Sequence, residues 1–339
     1  DWYNKVSRDL LMEQLTPLEL GSSTGAMMNN VGKVKNTGVE ISLSTVNVQT
    51  KNFYWSTTFS FAKNKNEILE LNGGKEDLIA NKWFIGQPID VIYDYEYAGV
   101  CTAEEAKAYA TNDAIKTKFI EGEMKLKDQQ QPGEEGYGVI DENDLVVLGH
   151  ALPKWTGSVT SNMTYKNFDF SFSIYTKQGG MVESPFMAEF TNYKDRGRNK
   201  LKMDYYIPAG TPVLNADGSG YTLTTEAHMG AYPYPTNTAN NNYGGGIGWG
   251  TDKQTTYVGN SYVNNSFVKI KNITLGYTFP KSWMSKIGVD HLRLYVNVLN
   301  PFTFTSYKGF DPEWAEAALN DGTGGPSSRT YQVGVNLKF

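Results

Sequence analysis

The chain has 339 residues, and its 31 Lys and Arg against 36 Asp and Glu give a net charge of -5 and a pI near 5.4, a balance that gives no support for nucleic-acid binding. Mean hydropathy is -0.46 and no run of about eighteen apolar residues occurs, which argues against helical membrane spans but not against a barrel, whose strands alternate and average low. A single cysteine, Cys101, leaves no intrachain disulfide or cysteine metal cluster, and His150, His228 and His291 are too scattered to suggest a metal site.

A side-chain period of two marks strands with one apolar and one polar face, and the expected elements follow in chain order. A partial strand covers 1–10 and a second, around Val39, Ile41 and Leu43, covers 31–46. In the third, 53–66, Trp55, Thr57, Phe59 and Phe61 oppose Ser56, Thr58, Ser60 and Ala62. A long connection follows, in which Thr102-Ala103-Glu104-Glu105 reads as a capping box ahead of a short helix to about Tyr109. In 155–165, Trp155, Gly157, Val159, Ser161, Met163 and Tyr165 oppose Thr156, Ser158, Thr160, Asn162 and Thr164. In 168–180, Phe168, Phe170, Phe172 and Ile174 oppose Asp169, Ser171, Ser173 and Tyr175. A less regular strand, 266–279, carries Ile273, Leu275, Tyr277 and Phe279, and in 291–302 Leu292, Leu294, Val296 and Val298 oppose Arg293, Tyr295, Asn297 and Leu299. Asp311-Pro312-Glu313-Trp314 has the N-cap and first-turn proline of a short helix. The last strand, 328–339, sets Tyr331, Val333, Val335, Leu337 and Phe339 on one face and Gln332, Gly334, Asn336 and Lys338 on the other.

Each strand is about as long as a tilted strand needs to cross a bilayer, on the order of ten residues. The links alternate in length. Short ones fall at Asn47–Asn52, at Lys166-Asn167 and at Pro280–Asp290, and long ones at about 11–30, 67–154, 181–265 and 303–328. Outer-membrane barrels have short periplasmic turns and long external loops, and this up-and-down order puts every short link on one side. The expectation is an all-β transmembrane antiparallel barrel with short helices in its external loops. The 22 Tyr, 16 Phe and 7 Trp suit rings at both membrane interfaces; the plainer alternatives are an aromatic core or a sugar-binding surface. Without an initiator methionine or a signal segment, the chain reads as a mature or truncated piece of an outer-membrane protein.

Particular residues then suggest a family. The run Asn30-Val31-Gly32-Lys33-Val34-Lys35-Asn36-Thr37-Gly38-Val39-Glu40 is similar to a barrel-strand opening of TonB-dependent receptors. Phe267–Tyr277, Leu292–Val296, Asn300–Thr305, Tyr307–Glu313 and the terminal strand resemble the SusC/RagA family. The resemblance implies the last eight strands of a barrel of about 22, the size class of plugged outer-membrane transporters. It also implies an N-terminal plug and a TonB-binding segment, neither of which is in this sequence. By the same resemblance the function is nutrient import, of an oligosaccharide first and an oligopeptide second, with a SusD-like surface lipoprotein as partner and TonB supplying energy. The barrel assembly machinery would read the apolar face of Tyr331, Val333, Val335, Leu337 and Phe339, and outer-membrane lipid and lipopolysaccharide would surround the wall. The alternative is a self-contained eight-stranded barrel with an adhesive or structural role.

No enzyme and no cofactor are expected. Gly21-Ser22-Ser23-Thr24-Gly25 matches G-x-S-x-G but sits in a polar loop ahead of a strand, without the strand before and helix after that a nucleophile elbow needs. Relatives carry a calcium-like loop before the Ile140 region; here Asp128–Gly136 lacks alternating carboxylates, which leaves Asp141, Asn143 and Asp144 as weak calcium ligands against a plain capped turn. The substrate-binding candidates are the loop aromatics Trp83, Tyr193, Tyr234, Trp249 and Trp314, because a flat ring beside amides and carboxylates suits a sugar, a peptide or a protein partner. The plainer reading of any one ring is packing of loop against loop.

Overall fold

The computed structural model describes residues 1–15, 26–72, 74–111, 121–122, 124–184, 204–232, 262–315 and 327–339. Sixteen strands are present among them. These are β1 (Trp2–Leu15), β2 (Ala26–Gln49), β3 (Phe53–Glu70), β4 (Val91–Tyr95), β5 (Tyr97–Val100), β6 (Met124–Leu126), β7 (Leu145–His150) and β8 (Trp155–Tyr165). There follow β9 (Phe168–Gln178), β10 (Met181–Glu183), β11 (Pro212–Leu214), β12 (Tyr221–Leu223), β13 (Tyr262–Asn264), β14 (Phe267–Thr278), β15 (His291–Thr305) and β16 (Thr330–Lys338). Eight of them form one antiparallel sheet in the order β1-β2-β3-β8-β9-β14-β15-β16, and the other eight form four small ladders in the connections. Within the described residues β1 and β16 each have a single partner, so the eight strands make an open sheet, not a closed eight-stranded barrel.

The alternation explains both faces of this wall. One cross-strand row runs Leu43, Phe59, Val159, Ile174, Ile270 and Phe302, and another runs Trp55, Met163, Phe170, Leu275, Val296 and Val333. Ile41, Leu43, Phe59, Leu275, Val296, Val333 and Val335 on this face are exposed, an apolar expanse far larger than a soluble surface carries. Hydrocarbon is its solvent, and Ser161, a hydroxyl on this face, is buried and accepts a hydrogen bond from Trp55 Nε1 at 2.8 Å. No helix among the described residues is long and apolar enough to cross a membrane; the strands make the crossing.

The inner face is built of hydroxyls and amides. Ser44 Oγ and Thr58 Oγ1 lie 3.1 Å apart, Ser173 donates to Asn272 at 2.5 Å, Thr274 to Asn297 at 2.9 Å, and Asn297 to Gln332 at 2.9 Å. Bulges adjust the register. On β14 the shift between Ile270 and Asn272 leaves Lys271 as the extra residue, and on β15 Asn300, at φ 49°, and Pro301 occupy the facing irregularity, where a proline's missing N–H does no harm.

Four wall strands run beyond the limits that alternation sets. β1 and β2 continue to Leu15 and back to Ala26, β3 to Glu70 and β15 to Thr305. The ladder is made by backbone groups, so it continues outside the membrane, where side chains need not alternate. The Thr102 box forms as read, with Glu105 N donating to Thr102 Oγ1 at 3.1 Å and Thr102 N donating to Glu105 Oε2 at 3.0 Å, and it opens α1 (Ala103–Thr111).

Near the short turns the inner row Asp169, Gly276, Tyr295 and Gly334 depends on its glycines. Arg293 on β15 reaches over Gly276 to Asp169 on β9, with Nε to Oδ1 at 2.8 Å and Nη2 to Oδ2 at 2.5 Å, while its guanidinium lies 4.8 Å from the centre of the Tyr295 ring. That ring in turn lies over Gly334, and a Cβ at Gly276 would collide with both members of the ion pair. Gly276→Val is therefore expected to break the bidentate pair and cost about 1–3 kcal/mol through overpacking. Loss of the heat-resistant folded band of the intact protein at a lower temperature than wild type, in a gel-shift series, checks it.

Candidate functional site

A concavity of about 570 Å³ lies against strands β2, β3, β8 and β9, with Asp1, Glu40, Ser42, Ser60, Thr156, Ser158 and Tyr175 as its polar lining and Ile41, Phe61, Ala62 and Gly157 beside them. Its floor is one cross-strand row. Ser42 pairs with Ser60, Ser60 with Ser158, Ser158 with Tyr175, and Tyr175 with Lys269, which faces Thr303. Three serines thus lead to a tyrosine, and the tyrosine leads to a buried lysine.

Lys269 is 1 % exposed, and a cation so placed must be fully paired. Its Nζ donates to Asp311 Oδ2 at 2.7 Å, Glu313 Oε2 at 2.9 Å and Ser327 Oγ at 3.3 Å. Lys271, carried by the bulge, donates to both carboxylate oxygens of Glu313 at 2.8 and 2.9 Å. The acceptors lie on the connection between β15 and β16, where Asp311 also caps the 3-10 turn Pro312–Trp314 by accepting from Glu313 N at 2.9 Å. Burial pushes the Asp311 and Glu313 carboxyls up, but the lysines and hydrogen bonds outweigh it and hold both below the usual carboxylate range. A second tie comes from Tyr307, whose hydroxyl lies 2.8 Å from that of Ser184, with Val182 and Ala315 buried beside it. The loop is pinned to the wall at two places, and the turn so fixed carries Trp314, 54 % exposed.

The other sequence candidates are placed differently. Trp83 bridges to Leu78 and packs, with Leu10 and Ile85, against the buried Val34, Ile68 and Leu71. Tyr193, Tyr234, Trp249 and the Gly21–Gly25 motif lie outside the described residues. Several other loop tyrosines hold one connection to another. Tyr262 donates to Asp94 Oδ2 at 2.5 Å, Tyr97 to the Ala231 carbonyl at 3.0 Å, and Tyr206 to Glu121 Oε1 at 2.7 Å, where burial first and the hydrogen bond to Glu121 second push the phenol up to about 12. Tyr331, Val333, Val335 and Phe339 stand exposed on the lipid-facing side of the wall, with Leu337 on the same face.

Asp141, Asn143 and Asp144 make a capped turn. Asp141 Oδ1 accepts from Asn143 N at 2.8 Å, Asp144 Oδ2 from Asp141 N at 2.8 Å, and Asp144 Oδ1 from Gln129 N at 2.7 Å, so backbone donors occupy these carboxylate oxygens. Burial, with the Asp128 and Asp141 charges adding to it, raises the Asp144 carboxyl despite those bonds, the reverse of what a carboxylate poised for a cation needs. No group of three or more His, Cys, Asp or Glu with metal-holding geometry occurs among the described residues.

Sequence reasoning put Ser60, Ser158 and Tyr175 on polar faces but did not join them or single out Ser42, because register across strands is invisible along one strand. Lys269 could have been suspected as a lysine at an inward position in an apolar stretch, upstream of a loop with two acids.

Because both carboxylates titrate low, docking of 305–315 is fully present above the ordinary carboxylate range and lost as pH falls through the depressed values. Lys269→Met removes the central cation and leaves Asp311 buried and unpaired, at a local cost of about 3–5 kcal/mol. Hydrogen exchange of peptides spanning 305–315 in the intact protein is expected to accelerate in the variant at neutral pH, and in wild type only on acidification.

No family model matches the chain. Over its whole length it is 29 % identical to TonB-dependent receptor P3 of Formosa agariphila, covering 32 % of that protein, and 27 % identical to the TonB-dependent receptor SusC of Bacteroides thetaiotaomicron, covering 30 %. Its fold superposes over the whole chain on a structure of the RagAB peptide transporter with a TM-score of 0.67 at 22 % identity, covering 33 % of that chain. The chain spans about a third of the length of the relatives it matches. Over its whole length the chain is thus similar in sequence to TonB-dependent receptors of the SusC kind, and its wall has the fold of part of such an outer-membrane barrel.

Proposed function

We propose that the receptor containing this chain imports an oligomeric nutrient across the outer membrane, that the cargo is an oligosaccharide, and that it is captured with a SusD-like surface lipoprotein and moved in with energy delivered through TonB. The observation that carries the cargo assignment is the chemistry of the inner wall. Below the Ser42–Ser60–Ser158–Tyr175 row lie two rows of neutral hydrogen-bonding groups, Ser44, Thr58, Thr160, Ser173 and Asn272, then Ser56, Asn162, Ser171, Thr274, Asn297 and Gln332. Hydroxyls and amides exchange hydrogen bonds with a neutral polyol at every step, and no charge along these rows traps it. Trp314, exposed on the turn that Lys269 and Lys271 pin, supplies in this reading the flat apolar surface on which a pyranose ring stacks. The chain's residues hold and orient cargo; no covalent step is needed.

An oligopeptide is the competing cargo, favoured by the likeness to the RagAB peptide transporter. The test is uptake by cells expressing wild-type or Trp314→Ala receptor, offered labelled pools of neutral oligosaccharides and of peptides. Loss of one stacked ring is expected to weaken saccharide capture roughly tenfold, equivalent to about 1.4 kcal/mol, with receptor abundance unchanged. Saccharide uptake that does not depend on the receptor, combined with receptor-dependent peptide uptake, would overturn the assignment.

A further inference from the structure

The end of the wall that holds the short turns has chemistry of its own. We propose that this periplasmic rim is a docking surface for anionic phospholipid headgroups of the inner leaflet. The proposal is independent of the cargo and rests only on the outer-membrane placement, in which short turns face the periplasm.

Each of the three short turns presents lysine to solvent: Lys51 between β2 and β3, Lys166 between β8 and β9, and Lys281 and Lys286 between β14 and β15. Asp290 is the one acid in these turns, 3.7 Å from Lys281, and cannot neutralise four cations. The lysines do not ride on loose loops. Lys166 N donates to the Asn52 carbonyl at 2.8 Å, Thr278 N to the Asn167 carbonyl at 2.8 Å, and Asp290 N to the Lys338 carbonyl at 2.8 Å, so neighbouring turns are laced into a continuous edge. Asn167 Nδ2 adds a bond to the Thr278 carbonyl at 2.8 Å.

Apolar groups lie beside the charges at the depth an interface requires. The helical turn Lys281–Met284 and the 3-10 turn Ser285–Ile287 bury Met284 and leave Trp283 and Ile287 outward, 55 % and 67 % exposed. A tryptophan and an isoleucine flanked by two lysines on one turn form a short amphipathic wedge, with rings for the headgroup boundary and ammonium groups for phosphate. Next to it Tyr277 packs on Phe168 with ring centres 4.7 Å apart, and Lys166 sits 5.4 Å from the centre of the Tyr165 ring. The long connection between β3 and β8, at the opposite end, holds acids in excess of bases, so the basic character belongs to the rim and not to the surface at large. Fixed lysines spaced along a membrane edge complement phosphates that carry a net negative charge and gain nothing from zwitterionic headgroups.

The test uses the intact receptor in mixed micelles of phosphatidylglycerol and phosphatidylethanolamine, with lipids retained on the protein counted by native mass spectrometry. One variant combines Lys51→Gln, Lys166→Gln, Lys281→Gln and Lys286→Gln. A control removes the same charge from the long connections through Lys75→Gln, Lys82→Gln, Lys154→Gln and Lys308→Gln. Wild type and control are expected to retain phosphatidylglycerol preferentially, the preference falling with added salt, and the rim variant to lose it by on the order of tenfold or more. Equal retention of the two lipids by wild type, or a preference that survives in the folded rim variant, would overturn the proposal. Should that variant not fold, the wild-type comparison of headgroups across salt decides alone.

Discussion

Hydrocarbon offers no hydrogen-bond partner, so every backbone group of a strand in a membrane wall must be met by the strands beside it, and the rest of this structure depends on that demand. It forces the eight wall strands into one antiparallel ladder and fixes the direction of every side chain with a period of two. The apolar row through Trp55 and Val333 and the hydroxyl row through Ser42 and Ser158 are two consequences of the same ladder, seen from opposite sides. Where the ladder departs from regularity it does so to aim a side chain: the bulge at Lys271 keeps Lys269 and Asn272 both inward and sends a second ammonium to Glu313.

That bulge connects the wall to its loops. A buried lysine against buried Asp311 is a poor source of stability, because desolvation of two ions offsets most of their attraction. It is a good source of specificity: hydrophobic contacts alone would let the 305–315 segment slide, whereas three directional bonds from one ammonium accept a single seating. Capping by Asp311 and the proline at the first position of the turn then determine where Trp314 stands. An exposed loop tryptophan is thus positioned by atoms of the barrel wall.

How far the sequence could lead depended on which physics was local. Strand positions 155–165 and Trp155–Tyr165 coincide because alternation along one strand carries the information. The capping box at Thr102 and the Asp311 cap were readable for the same reason, since a cap is completed within a few residues. What escaped was set by register: Ser42, Ser60, Ser158, Tyr175 and Lys269 are scattered over more than two hundred positions of the chain and become a row only when five strands align. The small ladders were missed too, because β4 and β7 are short and the long stretch between them gives no strand periodicity. Trp83 shows the converse limit, since a loop tryptophan looks the same in sequence whether it packs on Ile68 or faces a ligand.

Charges on the inner wall are confined to its two ends. At the outer end Lys269 is neutralised by Asp311 and Glu313, and near the short turns Arg293 is neutralised by Asp169. Between these two ion pairs the rows from Ser44 to Asn272 and from Ser56 to Gln332 hold no ionisable side chain. Each pair also crosses strands, the first joining β14 to a loop and the second joining β9 to β15 over Gly276, so both act as clamps on the wall as well as closing its charge. Under the proposed saccharide import, a wall clamped at both ends and neutral between them would offer a neutral polyol many equivalent, shallow positions and no deep one. Passage needs that profile, because a site that held one sugar tightly would have to release it again on every transport cycle.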